Sequence, residues 1–175
     1  VAYTYSNFGM TNSGDAILLL APDGRKADRV TWGDGLTTVA GKSYERTAFD
    51  GSGTWALAWQ PWPGSAGDSG TPGAIYQPSL LPTATATSSV TTTPVSAPWT
   101  AITGISPLLI EEVNYRGSDE EYIVLQNRSN EALDLTGWLV GDAEQIGDSE
   151  GLYRLPAGQL LVAGDLFVIA RNGVA

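Results

Sequence analysis

An all-β fold is expected from three features of this sequence. Apolar residues come in short runs, and turn formers close each run. The 175 residues include 21 Gly and 10 Pro, which supply many corners between short strands. No stretch sustains the i, i+3, i+4 apolar spacing of a buried helix face, so almost no helix is expected. A chain of this length can bury one good core or two small ones.

Residues 1–75 give strands in order. Ala16-Ile17-Leu18-Leu19-Leu20-Ala21 is a continuous apolar run between Asn12-Ser13-Gly14-Asp15 and Pro22-Asp23-Gly24. Its shortness and its flanking turns favour a strand buried on both faces. Pro-Asp-Gly sets the fixed and positive φ values a tight turn needs. Ala27–Trp32 then returns, so 16–32 reads as a hairpin. A further short strand is expected at Lys42–Thr47. Trp55, Trp59 and Trp62 follow in a Gly/Pro-rich segment ending at Thr71-Pro72-Gly73.

Residues 76–105 change character. From Pro82 to Pro94 the chain is Thr, Ser, Ala and Val without a charge, the composition of an extended linker open to O-glycosylation at Thr91 and Thr92. A passive spacer is the simpler reading; a strand-like segment docked on a neighbour is the sharper one. Residues 106–175 return to β patterning. Strands are expected at 108–115, Glu121–Asn127, Leu133–Val140, 160–162 and Leu166–Ala170, with turns at Leu155-Pro156-Ala157-Gly158 and Ala163-Gly164-Asp165.

Several of these pieces resemble the lamin tail domain, an immunoglobulin-like β-sandwich widespread in bacterial secreted and surface proteins. Ile110–Tyr115 is similar to its opening strand, and Glu121-Tyr122-Ile123-Val124-Leu125-Gln126-Asn127 to its "E-Y/F-V-E-L-x-N" strand. Leu133-Asp134-Leu135-Thr136-Gly137-Trp138 resembles "V-D-L-S/T-G-W", which implies a buried Trp138. Val124 stands where the family often carries Glu, which implies a less polar strand face. In the first part, Asn12–Leu20 resembles "L-S/N-N-S-G-D-x-V-x-L"; Trp32-Gly33, Ser43 and Glu45-Arg46 continue that pattern.

The pieces stand in reversed order. Residues 1–75 resemble the closing half of such a sandwich, and 106–175 the opening half. Placing residue 175 before residue 1 reads as strand, Asn172-Gly173 turn, strand, a hairpin without missing residues. The resemblance therefore implies an immunoglobulin-like sandwich that is permuted or split between neighbouring chains or repeats, or else an excerpt of two tandem domains. A half alone would expose strand edges and apolar faces.

Composition narrows function. A net charge of −10 with nine scattered basic residues disfavours a nucleic-acid partner. There is no histidine or cysteine, hence no Ser-His-Asp triad, thiolate metal site or disulfide framework. No apolar run approaches the roughly 20 residues of a spanning helix. The chain opens at Val1 without a charged-then-apolar leader, as expected of a mature or excised piece,.

Candidate chemistry is correspondingly thin. Gly67-Asp68-Ser69-Gly70 imitates protease signatures but reads as a turn,. Acidic clusters at Glu111/Glu112, Asp119/Glu120/Glu121 and Asp142/Glu144/Asp148/Glu150 read first as solvated surface. Asp142, Asp148 and Glu150 are the best ligands if Ca²⁺ is held; no other cofactor is expected. Trp55, Trp59 and Trp62 are candidates for a sugar platform, with core or interface packing the simpler reading. Asn127-Arg128-Ser129 fits an N-glycosylation acceptor, a match chance alone can supply,. The expectation is a non-enzymatic extracellular or cell-surface structural module that completes sandwiches head to tail with copies of itself, in a repeat or filament. The alternative is an accessory module binding glycans or a surface ligand.

Overall fold

A computed structural model describes residues 2–4, 8–33, 36–48, 54–62, 65–74, 102–115, 121–142 and 151–171. Every regular element among them is a strand. In chain order they are β1 (Ala2–Thr4), β2 (Asp15–Leu20), β3 (Lys26–Trp32), β4 (Tyr44–Arg46), β5 (Trp55–Leu57), β6 (Leu108–Asn114), β7 (Tyr122–Asn127), β8 (Leu133–Asp134), β9 (Leu139–Gly141), β10 (Leu152–Arg154), β11 (Leu160–Leu161) and β12 (Leu166–Ala170). A six-stranded sheet runs β1-β12-β7-β6-β4-β5, a four-stranded sheet β10-β9-β2-β3, and β11 pairs with β8.

The β2–β3 hairpin forms as its sequence dictates. Gly24, at φ 81°, takes the left-handed position after Pro22-Asp23, where a side chain would be strained. The turn closes through Gly24 N to Ala21 O at 2.8 Å. The expected strand 133–140 is instead broken in two. Asp134 accepts from Thr136 N at 2.8 Å and Thr136 Oγ1 at 2.6 Å, and Gly137 follows at φ 84°. That local turn competes with the strand and sends β8 to β11 and β9 to β10 and β2.

Strands from the two ends of the chain pair within one molecule. β4 pairs antiparallel with β6, with Glu45 opposite Glu112. β2 pairs antiparallel with β9, with Leu19 opposite Val140. β1 lies parallel to β12, unlike the antiparallel strands of a two-residue hairpin; Asn172 and Gly173, the turn read across the termini, lie outside the described residues. Ile102, within the expected linker, donates from its N–H to Lys26 O at 2.8 Å.

The core lies between the sheets. Ile17, Leu19, Val30 and Trp32 from one side meet Tyr44, Ile110, Val113, Ile123, Leu125, Phe167 and Ile169 from the other. Tyr115 is sandwiched at its centre, 4.9 Å from the Trp32 ring and 5.6 Å from Tyr44. Burying these aromatic polar tips requires partners. Trp32 Nε1 donates to Thr11 O at 2.7 Å, and Tyr115 Oη accepts from Val39 N at 3.1 Å. Trp138 is buried in this core, as its sequence context implies. Val124 packs on the opposite face of its sheet with Tyr122, Val168 and Ala170.

Candidate functional site

The outer face of the six-stranded sheet carries a buried acidic cluster, and a bulge creates it. The register of β6 against β7 slips between Ile110 and Glu112, making Glu111 the extra residue. Ile110 and Val113 thereby both reach the core although three residues apart, which strict alternation forbids. Glu111 and Glu112 are left off the inner face. They are not the solvated surface expected: Glu111 is 2% and Glu112 1% exposed, and Glu45 across the ladder is 3% exposed.

Residues 68–71 close over Glu112 and Glu45. Ser69 bridges to both Lys42 and Pro61; Ser69 N donates to Gly41 O at 2.7 Å, and Ser43 N to Ser69 O at 3.0 Å. The Gly-Asp-Ser-Gly segment is thus a strap bound on both sides rather than a plain turn. Glu112 Oε1 accepts from Ser43 Oγ at 2.5 Å, Tyr122 Oη at 2.7 Å and Thr71 N at 2.9 Å. Thr71 Oγ1 donates to Glu45 Oε1 at 2.7 Å and lies 3.4 Å from Glu112 Oε2. Gly70 is required by this closeness. A β-carbon there would stand 2.2 Å from Tyr122 Oη and 2.7 Å from Glu112 Oε1. Gly70→Ala is expected to cost about 1–3 kcal/mol by overpacking, measured as a fall in the urea midpoint; an unchanged midpoint would show that the strap is not closed.

Burial sets the protonation of the cluster. It pushes Glu112 up to about 7 against the hydrogen bonds from Ser43, Tyr122 and Thr71, which pull it down. Glu111 is likewise raised to about 7 by burial, opposed by Arg46 and Arg128. Neither Glu111 oxygen has a hydrogen-bond partner among the described residues. Burial also raises Glu45, with Thr71 opposing, and raises the Tyr122 hydroxyl, which remains a donor.

Beside the bulge, a side-chain pair replaces the ladder. Arg46, 1% exposed, donates from Nε to Ile110 O at 2.7 Å and from Nη2 to Asp28 Oδ2 at 2.5 Å. Asp28 Oδ2 also accepts Ile110 N at 2.8 Å. One residue of β6 therefore has both backbone groups satisfied by an ion pair, as buried polar groups must be. Burial raises the Asp28 carboxyl and the Arg46 guanidinium opposes that rise.

The other candidates separate. Trp55 lies under Arg46, whose guanidinium carbon is 4.5 Å from its ring centroid. Trp62 meets Tyr122 edge-on at 5.4 Å. Trp59 is 37% exposed. Asp142 accepts from Gly9 N at 3.4 Å and Gly151 N at 3.0 Å, so it ties loops together. Asp148, Glu150, Thr91 and Thr92 lie outside the described residues. No group of three or more Asp or Glu among the described residues is placed to hold a metal. Asn127 is fully buried, and its amide donates to Glu131 O and Leu161 O, each at 2.8 Å. A glycan on that amide is incompatible with this fold, which corrects the acceptor reading.

A cleft of about 400 Å³ opens beside the strap, lined by Gln60, Pro61, Trp62, Gly70, Thr71, Pro72 and Ala74. None of its lining residues is a carboxylate, so the buried acids do not face it directly.

Residues 103–175 match the Lamin Tail Domain. No curated protein and no solved structure matches the chain. The lamin-tail match begins inside the expected linker and takes in β6 to β12, including the bulge, Tyr122 and Trp138. The Lamin Tail Domain is a non-catalytic, immunoglobulin-like family, and the all-β sandwich agrees with it. Ser43, Glu45, Arg46, Thr71 and Asp28, which complete the acidic cluster and the ion pair, stand before the lamin-tail segment. The one sequence signal for the cluster was two consecutive Glu inside an otherwise apolar strand.

Proposed function

We propose that the chain is a non-catalytic, extracellular structural module whose work is joining. The observation that carries this reading is the pair of ladders β2–β9 and β4–β6, through which the two ends of the chain complete each other. Its extracellular placement rests on the Thr/Ser/Pro-rich 76–105 and on the resemblance to surface proteins. The same ladders, formed between copies instead of within one, would link modules head to tail by exchange of residues 1–75. Light scattering tests this. Freshly purified chain is expected to be monomeric. Concentrated chain returned from partial unfolding is expected to yield dimers and longer species that persist on dilution. Monomer alone under both treatments would remove assembly and leave a closed spacer.

A further inference from the structure

We infer that the cleft beside the strap binds a neutral sugar ring, with Trp62 as its platform. The inference goes beyond the joining role and stands on the cleft's own chemistry. Its volume of about 400 Å³ falls at the small end of the ~300–1,000 Å³ range of small-ligand sites. No titratable side chain lines it, and the protein carries a net charge of −10. An anionic ligand is repelled, and no carboxylate waits there for a cation.

The walls suit a ring with one apolar face and a polar rim. The Trp62 indole is braced by the Tyr122 ring, edge-on at an interplanar angle of 80°. Its backbone is pinned as well, with Trp62 N donating to Asp68 O at 2.9 Å and Trp62 O accepting from Ser65 Oγ at 2.9 Å. A platform fixed in this way costs little entropy to use. The Gln60 side-chain amide has no hydrogen-bond partner among the described residues, and it offers both donors and an acceptor. Thr71, which also lines the cleft, commits its hydroxyl proton to Glu45. Pro61 and Pro72 add apolar rings to the lining. Of the three tryptophans that the sequence offered, Trp55 is engaged by Arg46 and Trp59 is not part of the lining.

The test uses the whole chain and a panel of glucose, galactose, mannose and N-acetylglucosamine with their short oligomers. Calorimetry and tryptophan fluorescence are the readouts. Saturable binding of at least one sugar, with a Kd in the millimolar range or tighter, is expected. Trp62→Ala and Gln60→Ala should each weaken it about tenfold or more, with Trp59→Ala leaving it unchanged. Because Trp62→Ala also removes packing from Tyr122, Gln60→Ala, whose melting curve should match the parent, carries the decision if the first variant unfolds. The inference is overturned if no sugar binds at about 50 mM, a ceiling well above millimolar affinity. It is overturned equally if binding survives Gln60→Ala. A proline-rich peptide that binds through Trp62 while no sugar does would overturn it in favour of polyproline recognition.

Discussion

Arg46→Met should lower the unfolding free energy by about 3–5 kcal/mol, the cost of stranding one partner of a buried ion pair. In the variant, Asp28 would keep its carboxylate in a buried position without the guanidinium 2.5 Å away, and Ile110 O would lose its donor. The Arg46 stack on Trp55 would go as well. Since domains are stable by only about 5–15 kcal/mol, the change should be visible as partial unfolding at modest temperature. Asp28→Asn combined with Arg46→Met should cost clearly less than the sum of the singles, because the two groups share one interaction. Urea titration of the four proteins gives the answer. A loss under about 1 kcal/mol for Arg46→Met, the range of an exposed pair, would mean that the pair is solvated.

Stability should fall as pH rises from about 4.5 to about 7, opposite to the trend in proteins held by paired carboxylates. The sign follows from Glu112 and Glu111, both raised to about 7 by burial from an ordinary 4.5. Between those values the folded state holds protons that the unfolded chain has released. The contribution is complete below pH 4.5 and is lost as pH passes through 7. A shift of that size at fully buried Glu112 corresponds to about 3 kcal/mol at pH 8. Glu112→Gln isolates it. The amide oxygen can still accept from Ser43, Tyr122 and Thr71, so the variant should match the parent near pH 4.5 and exceed it at pH 8. Thermal melts across that range check this; a parent whose stability is level from pH 4.5 to 8 would sink it.

The strands were legible where local rules suffice. The 16–32 hairpin, strand 122–127 and the turns around 157 and 164 follow from apolar runs and Gly placement alone. Leu133–Val140 was misread because the Asp134–Thr136 turn is also local and outcompetes β pairing of an apolar stretch. The acidic cluster was not legible because its burial depends on partners far away in the chain. Glu112 looks solvated until Thr71 arrives from some 40 residues earlier. The Asn127-Arg128-Ser129 motif carries no sign of burial; the bonds of Asn127 to Glu131 and Leu161 become apparent only in the fold. The settings of Trp55 and Trp62 likewise depend on Arg46 and Tyr122, which no motif around the tryptophans announces.

The cross-chain ladders also govern time. Leu19 meets Val140 about 120 residues downstream, so on a ribosome adding about 5–20 residues per second, β2 waits roughly 6–24 s for β9 to be made. Through that interval the edge of β2 that β9 will pair stays open, a template for non-native strand pairing. Closing such distant pairs costs chain entropy before any contact repays it, which places folding on the slow side, milliseconds to seconds even for a finished chain. The early hairpin is therefore the segment most open to aggregation during synthesis, and the last strands to emerge relieve it.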